Sequence, residues 1–211
     1  MILFDAFSYA LSRGDELGRA LGQHLLFVAV ALGLGIALCV PLGVLTSRSR
    51  AAALTIINTA NALRVVPSLA ILFLAIPYFG LSFTSSALAL TVLALPPILI
   101  NTDAAFRSIP AAVKEAAYGM GMTNRQVLWR IEVPLALPVI VAGIRTATVE
   151  VIASATLAAF IGGGGLGIYI TRGFALFDNS ILLVGAISVA LLALIAEVGM
   201  GRLERLVRVP A

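Results

Sequence analysis

Few side chains in this sequence could carry covalent chemistry, and their placement argues against it. His24 is the only histidine and Cys39 the only cysteine of 211 residues. That leaves no Ser–His pair beyond a single stranded imidazole, no intrachain disulfide and no cluster for a metal. An intramembrane aspartyl protease needs two facing acids. The acids at or near apolar runs are Asp103, Glu150 and Glu197, and no Gly-x-Gly-Asp motif accompanies them. Gly162, Gly164 and Gly167 match GxGxxG, but a dinucleotide site needs a preceding strand, and here an apolar helical stretch leads into the run. No Gly-Lys-Ser/Thr phosphate loop occurs anywhere. Catalysis is not expected on this chain.

The side chains that do call for an explanation are polar groups set among hydrocarbon. Thr55, Asn58, Asn61 and Arg64 recur every three residues, and Thr146, Glu150 and Ser154 every four, so each set lies along one helical face. An ionised group at the bilayer centre costs about 2.5–3.5 kcal/mol on insertion scales, so both faces are expected to point into a bundle or a wet cavity. Arg64 and Glu150 either compensate one another or are satisfied separately. Asp103 and Arg107, four residues apart, suit a local ion pair.

The elements that must position these groups are membrane helices. Hydrophobic residues make up 61% of the chain and charged residues 11%, against roughly 25% charged in a soluble domain, and mean hydropathy is +1.08. A span needs about 20 apolar residues, and residues 24–46, 52–79, 83–105, 135–161 and 180–200 supply five. Together they make one all-α membrane domain over residues 1–211. Pro67 is expected to kink the second span rather than split it, and Pro96-Pro97 the third. His24 reads as an interfacial residue at the first span's entrance. Residues 1–22 lack the pattern of a cleaved signal peptide and read as an amphipathic lead-in. The net charge of +4 is spread through short loops and so points to topology, not nucleic acid. Arg48, Arg50, Arg107, Lys114, Arg125, Arg130, Arg202, Arg205 and Arg208 all fall on one side with five crossings. The positive-inside rule makes that side cytoplasmic and puts the N-terminus outside.

Between spans three and four lies a wettable insert, residues 108–134. Pro110 suits a helix start, Gly119 and Gly121 break the helix, and Thr123 with Gln126 forms a capping-box pattern for a second short helix. Pro134 is expected to separate that helix from span four. The insert reads either as an interfacial connector, with Trp129 at the headgroups, or as a docking element for a soluble partner. The run at residues 162–167 reads as a tight external turn inside a loop of residues 162–179, with a gate or a contact for a binding protein as the alternative.

Glu115-Ala116-Ala117, Gly121, Ile131 and Pro134 stand at the positions of the EAA-x3-G-x9-I-x-LP signature, with Val133 in place of its Leu. On these residues the chain resembles the permeases of bacterial ATP-binding-cassette importers. Val40-Pro41-Leu42-Gly43-Val44, the Val66 to Leu72 segment, Gly143-Ile144-Arg145-Thr146 and the Phe160 to Gly167 run are similar to the glycine betaine/choline/carnitine, or osmoprotectant, branch. Methionine-importer permeases are the close alternative.

The resemblance implies a type I importer fold in the cytoplasmic membrane of a bacterium or archaeon. It also implies that Glu115, Ala116, Ala117 and Gly121 dock a cytoplasmic ATPase subunit, which carries ATP and magnesium while this chain holds no cofactor. A second permease subunit and an extracytoplasmic substrate-binding protein are the other implied partners. A passive channel would leave the signature unexplained. Quaternary ammonium ligands are held by aromatic faces, yet Phe73, Tyr78, Phe79, Phe83, Phe160 and Tyr169 are scattered. High-affinity recognition is therefore expected on the binding protein, with a low-affinity passage here.

Overall fold

A computed structural model describes residues 2–208, and every regular element among them is helical. In chain order these are α1 (Ile2–Ser12), α2 (Gly14–Arg48), α3 (Arg50–Leu63), α4 (Ser68–Phe79), α5 (Phe83–Arg107), α6 (Ala111–Gly119), α7 (Asn124–Val127), α8 (Val133–Ser154), α9 (Gly167–Leu176) and α10 (Asn179–Leu206). A π turn, Leu128–Glu132, joins α7 to α8, and a tighter 3-10 segment, Ala155–Ile161, extends α8. Four helical stretches are long and apolar enough to cross a bilayer, and α3 with α4 makes a fifth if the bent pair is one span.

The most enclosed of these is α5, which packs along α2 on one side and α8 on the other. Its prolines do not end it: Pro96 and Pro97 are both buried inside a continuous 25-residue helix. Contact with α8 is close because Gly143 has no side chain. A Cβ there would lie 2.5 Å from the Asn101 Cβ and 2.9 Å from the Pro97 carbonyl oxygen. Without a hydrophobic drive between helices in lipid, such close backbone approach is what van der Waals packing requires. The outer faces of α2 and α10 remain apolar and exposed, with Leu34, Leu38 and Leu45 on the first and Leu191, Leu194 and Ile195 on the second.

Several expectations need correction. The break near Pro67 is a bend of 97° and not a modest kink. Pro67 has no N–H and disfavours helical geometry at the residue before it. The chain therefore leaves α3 through Val65 and Val66, whose amides reach back only three residues, to Ala62 and Leu63. The first span also begins earlier than residue 24. Asp15 and Glu16 complement the helix dipole in the first turn of α2, so the lead-in is α1 followed directly by a 35-residue helix. His24 is then three turns inside α2 and fully buried against its neighbours, its Nε2 3.0 Å from the Ile152 carbonyl oxygen.

Two connections also differ. Pro134 does not separate the insert from span four, because the π turn carries the helix through. The Val133 amide bonds the Leu128 carbonyl five residues back, and the widened turn accommodates the proline that follows. Residues 162–179 are not one loop: α9 occupies most of them and packs on α10. The single non-glycine residue in left-handed geometry among the described residues, Phe177, makes the turn between those two helices.

Candidate functional site

The insert is built as a helix, an elbow and a second helix. Pro110 stands at the cap position before α6. Gly121 has φ +79°, which L side chains adopt at a cost, and the Met122 amide bonds the Ala117 carbonyl while the Gly121 amide bonds that of Tyr118. This is a Schellman ending, with glycine at its left-handed position. Thr123 then caps α7: the Gln126 amide donates to its hydroxyl oxygen, and its own amide donates to the Gln126 side chain 2.8 Å away. Glu115, Ala116 and Gly121 are exposed. Ala117 is 1% exposed and faces inward, so it supports α6 and does not belong to the outer surface. Tyr118 and Met120, which sequence reasoning did not single out, stand exposed beside Glu115.

Behind that surface α6 is tied to two long helices. Glu132, 1% exposed in the π turn at the base of α8, receives Arg48 Nη1 at 2.9 Å and also contacts Arg48 Nη2. Lys114 of α6 approaches the same carboxylate at 3.1 Å. Burial alone would raise the Glu132 carboxyl, but hydrogen bonds from Arg48 and Lys114 outweigh it and hold it below its usual value. At the same end, Arg107 joins Asp103 at 2.8 Å, as its spacing suggested, and also donates to the Thr46 carbonyl. One charged layer thus fastens the end of α2, the end of α5 and the start of α8 to the first helix of the insert.

The polar stripes part company. Thr55, Asn58 and Asn61 lie on the exposed side of α3 and do not point into this chain's own bundle, because the buried contact of α3 runs through Ala60. Arg64, at the end of α3, lines a cavity with Glu150 and Ser154. No direct ion pair joins Arg64 to Glu150 within 4.0 Å. On α8, Arg145 instead pairs with Glu197 and, at 3.0 Å, with Glu204. Those glutamates are two helical turns apart on one face of α10, a spacing visible in the sequence. Their partner was not, since it lies on another helix.

The profile of the family described as "Binding-protein-dependent transport system inner membrane component" matches residues 26–209. The chain belongs to that family. Among the permease's relatives, the carnitine transport permease protein OpuCB of Listeria monocytogenes is 45% identical over 182 residues, 86% of this chain and 84% of that one. The glycine betaine/carnitine/choline transport system permease protein OpuCB of Bacillus subtilis is 39% identical over 198 residues, 94% and 91% of the two chains. These relatives bear out the resemblance to osmoprotectant permeases. A chain of the inward-facing MetNI methionine ABC transporter has the same fold, with a TM-score of 0.82 at 23% identity, covering 92% of the permease and 97% of that chain. The permease is thus a multi-pass membrane component of a transport system and not an enzyme.

Its glycine run does not take the geometry of a nucleotide loop. Gly162, Gly164 and Gly165 have positive φ, and the turn they make folds back on α2. The Gly165 amide donates to the Gln23 side chain at 3.3 Å, and a Cβ on Gly163 would meet the Ser86 hydroxyl at 2.3 Å. Gly167 starts α9 hard against the Thr156 carbonyl, 2.0 Å from where its Cβ would stand. Only Gly162 of this run is exposed.

Proposed function

We propose that this permease is the pathway subunit of an ATP-driven importer of small quaternary-ammonium osmoprotectants of the glycine betaine, choline and carnitine type. The observation that carries the reading is its 45% identity, over most of both chains, to a carnitine transport permease. A second permease subunit completes the pathway, since the polar face of α3 is exposed on a single chain. An extracytoplasmic binding protein delivers the substrate. The ends of α2 and α5, the insert and the end of α10 face the cytoplasm and the N-terminus lies outside, in keeping with the loop arginines.

Glu115, Ala116 and Gly121, with exposed Tyr118 and Met120, form the surface that seats on the ATPase, where ATP and magnesium are bound. Closure of the ATPase pair pulls on α6. The Lys114–Glu132–Arg48 cluster passes that displacement to α8 and α2, and the unbroken helix from α7 through the π turn to α8 adds a second, stiff connection. ATP binding opens the pathway outward, and hydrolysis resets it.

Reconstitution of the permease with its ATPase and binding protein, followed by uptake of labelled glycine betaine, choline, carnitine and methionine, tests the substrate. Uptake of methionine alone would overturn the substrate class and leave the permease assignment in place. Co-purification of the ATPase, lost in a Glu115→Arg and Gly121→Val double variant, tests the docking surface; unaltered recovery would count against it.

A further inference from the structure

The right-angle break between α3 and α4 opens on a cavity of about 250 Å³, level with the middle of α5. That is just under the roughly 300–1,000 Å³ of ordinary ligand pockets, a size for a small solute. Its charged groups are one cation and one anion. Arg64 ends α3, and Glu150 projects from α8. Among the described residues neither makes an ion pair or a side-chain hydrogen bond. Arg64 is exposed and Glu150 half-buried on the single chain, and two such opposite charges left apart within a membrane bundle are costly, unless water or a third body bearing both charges lies between them. Ser68 at the start of α4 lies in the same wall, and while the Ala70 and Ile71 amides bond the Pro67 carbonyl, those of Ser68 and Leu69 at the head of this 12-residue helix have no backbone acceptor. The Arg64 side therefore favours an anion twice over. Val92, Leu93 and Pro96 of α5 supply apolar wall and no hydrogen-bonding side chain, a lining suited to methyl groups.

Glu150 also lines a second cavity, of about 570 Å³, that runs along α8 past Thr146 to Arg145 and Glu197. It thus stands between the elbow and a polar track toward the end of α10.

We propose that Arg64 and Glu150 form a transient pathway site for a small zwitterion, the carboxylate held at Arg64 and the α4 start and the trimethylammonium group held against Glu150. This rests on the substrate class proposed above and adds the residues and orientation that would read it. Cations lacking a carboxylate, such as choline, use only the Glu150 half. Among the described residues no aromatic side chain lines the cavity, so the site holds its solute weakly, as a passage must.

The test uses the complete importer in proteoliposomes with saturating binding protein, and reads uptake of glycine betaine and of choline side by side. Arg64→Gln is expected to lower the betaine-to-choline uptake ratio about tenfold, the loss of about 1.4 kcal/mol of discrimination. Arg64→Lys keeps the ratio within about twofold of wild type, and Glu150→Gln slows both substrates by a similar factor, each judged on complexes that assemble and hydrolyse ATP. An Arg64→Gln ratio equal to wild type, or betaine and choline falling together in that variant, overturns the zwitterion site while the importer reading stands. Wild-type importer that carries neither substrate overturns both.

Discussion

Replacing Glu132 by Gln keeps the side chain's size and one acceptor oxygen while removing the charge on which the lever's cluster depends. The carboxylate is buried and bonded to Arg48 and Lys114, whose side chains are 43% and 26% exposed. Removing one member of a fully buried pair costs about 3–5 kcal/mol. Here the two cations keep part of their hydration, which lowers the effect toward the roughly 1.5–3 kcal/mol of hydrogen bonds to charged groups. A loss of about 2 kcal/mol between α6 and the bases of α2 and α8 is a factor of about thirty in an equilibrium constant. The assay is substrate taken up per ATP hydrolysed, measured on the reconstituted importer. E132Q is expected to retain the ATPase, because the docking face is untouched, and to hydrolyse ATP with uptake reduced tenfold or more. An Arg48→Gln, Glu132→Gln double variant should lose less than the sum of its parts, since it leaves one cation instead of two without a counter-charge. Uptake per ATP within twofold of wild type in E132Q would refute transmission through this cluster.

Other outcomes follow from the same geometry. Gly121→Ala forces a side chain into left-handed backbone at about 1–2 kcal/mol and should weaken ATPase recovery in a pull-down without altering helix content by circular dichroism. Gly143→Val has no room against Asn101 and the Pro97 carbonyl; α8 and α5 must separate, and the detergent-purified chain should show a lower thermal midpoint and a shifted elution volume. The folded-state pKa of Glu132 is depressed, so its contribution is fully present above the unfolded value of about 4.3 and is lost as pH falls through the lower folded value. Uptake per ATP should therefore be flat from neutral pH down to about pH 5 as far as this group is concerned, and a midpoint near 6 that disappears in E132Q would contradict the assignment.

Much of this permease was legible in the one-dimensional pattern. Long apolar runs define membrane helices because backbone groups in lipid must bond within their own segment, and that rule needs no knowledge of neighbours. The elbow of the insert was equally local: a glycine at the position requiring positive φ and a Thr–Gln capping box act within a few residues, and both stand as read. Asp103 and Arg107, one turn apart, pair for the same reason.

What the tertiary structure decided concerns partners that sequence separation hides. Glu132 is an unremarked letter inside the signature until Arg48, 84 residues away, arrives beside it. Arg145 and Glu197 meet across 52 residues, and His24 is drawn inside by a carbonyl 128 residues on. Pro67 and Pro134 misled in opposite directions. Their effect depends on what the freed carbonyls and displaced backbone find nearby: Pro96 and Pro97 are enclosed within α5, Pro134 is absorbed by a π turn, and Pro67 turns the chain by a right angle. The polar and helical content of the chain is written in its order of residues, because helix, cap and turn are short-range. Which charges end up joined, and which are left facing a cavity, is set only when α2, α5, α8 and α10 pack, because a counter-charge acts through space and not along the chain.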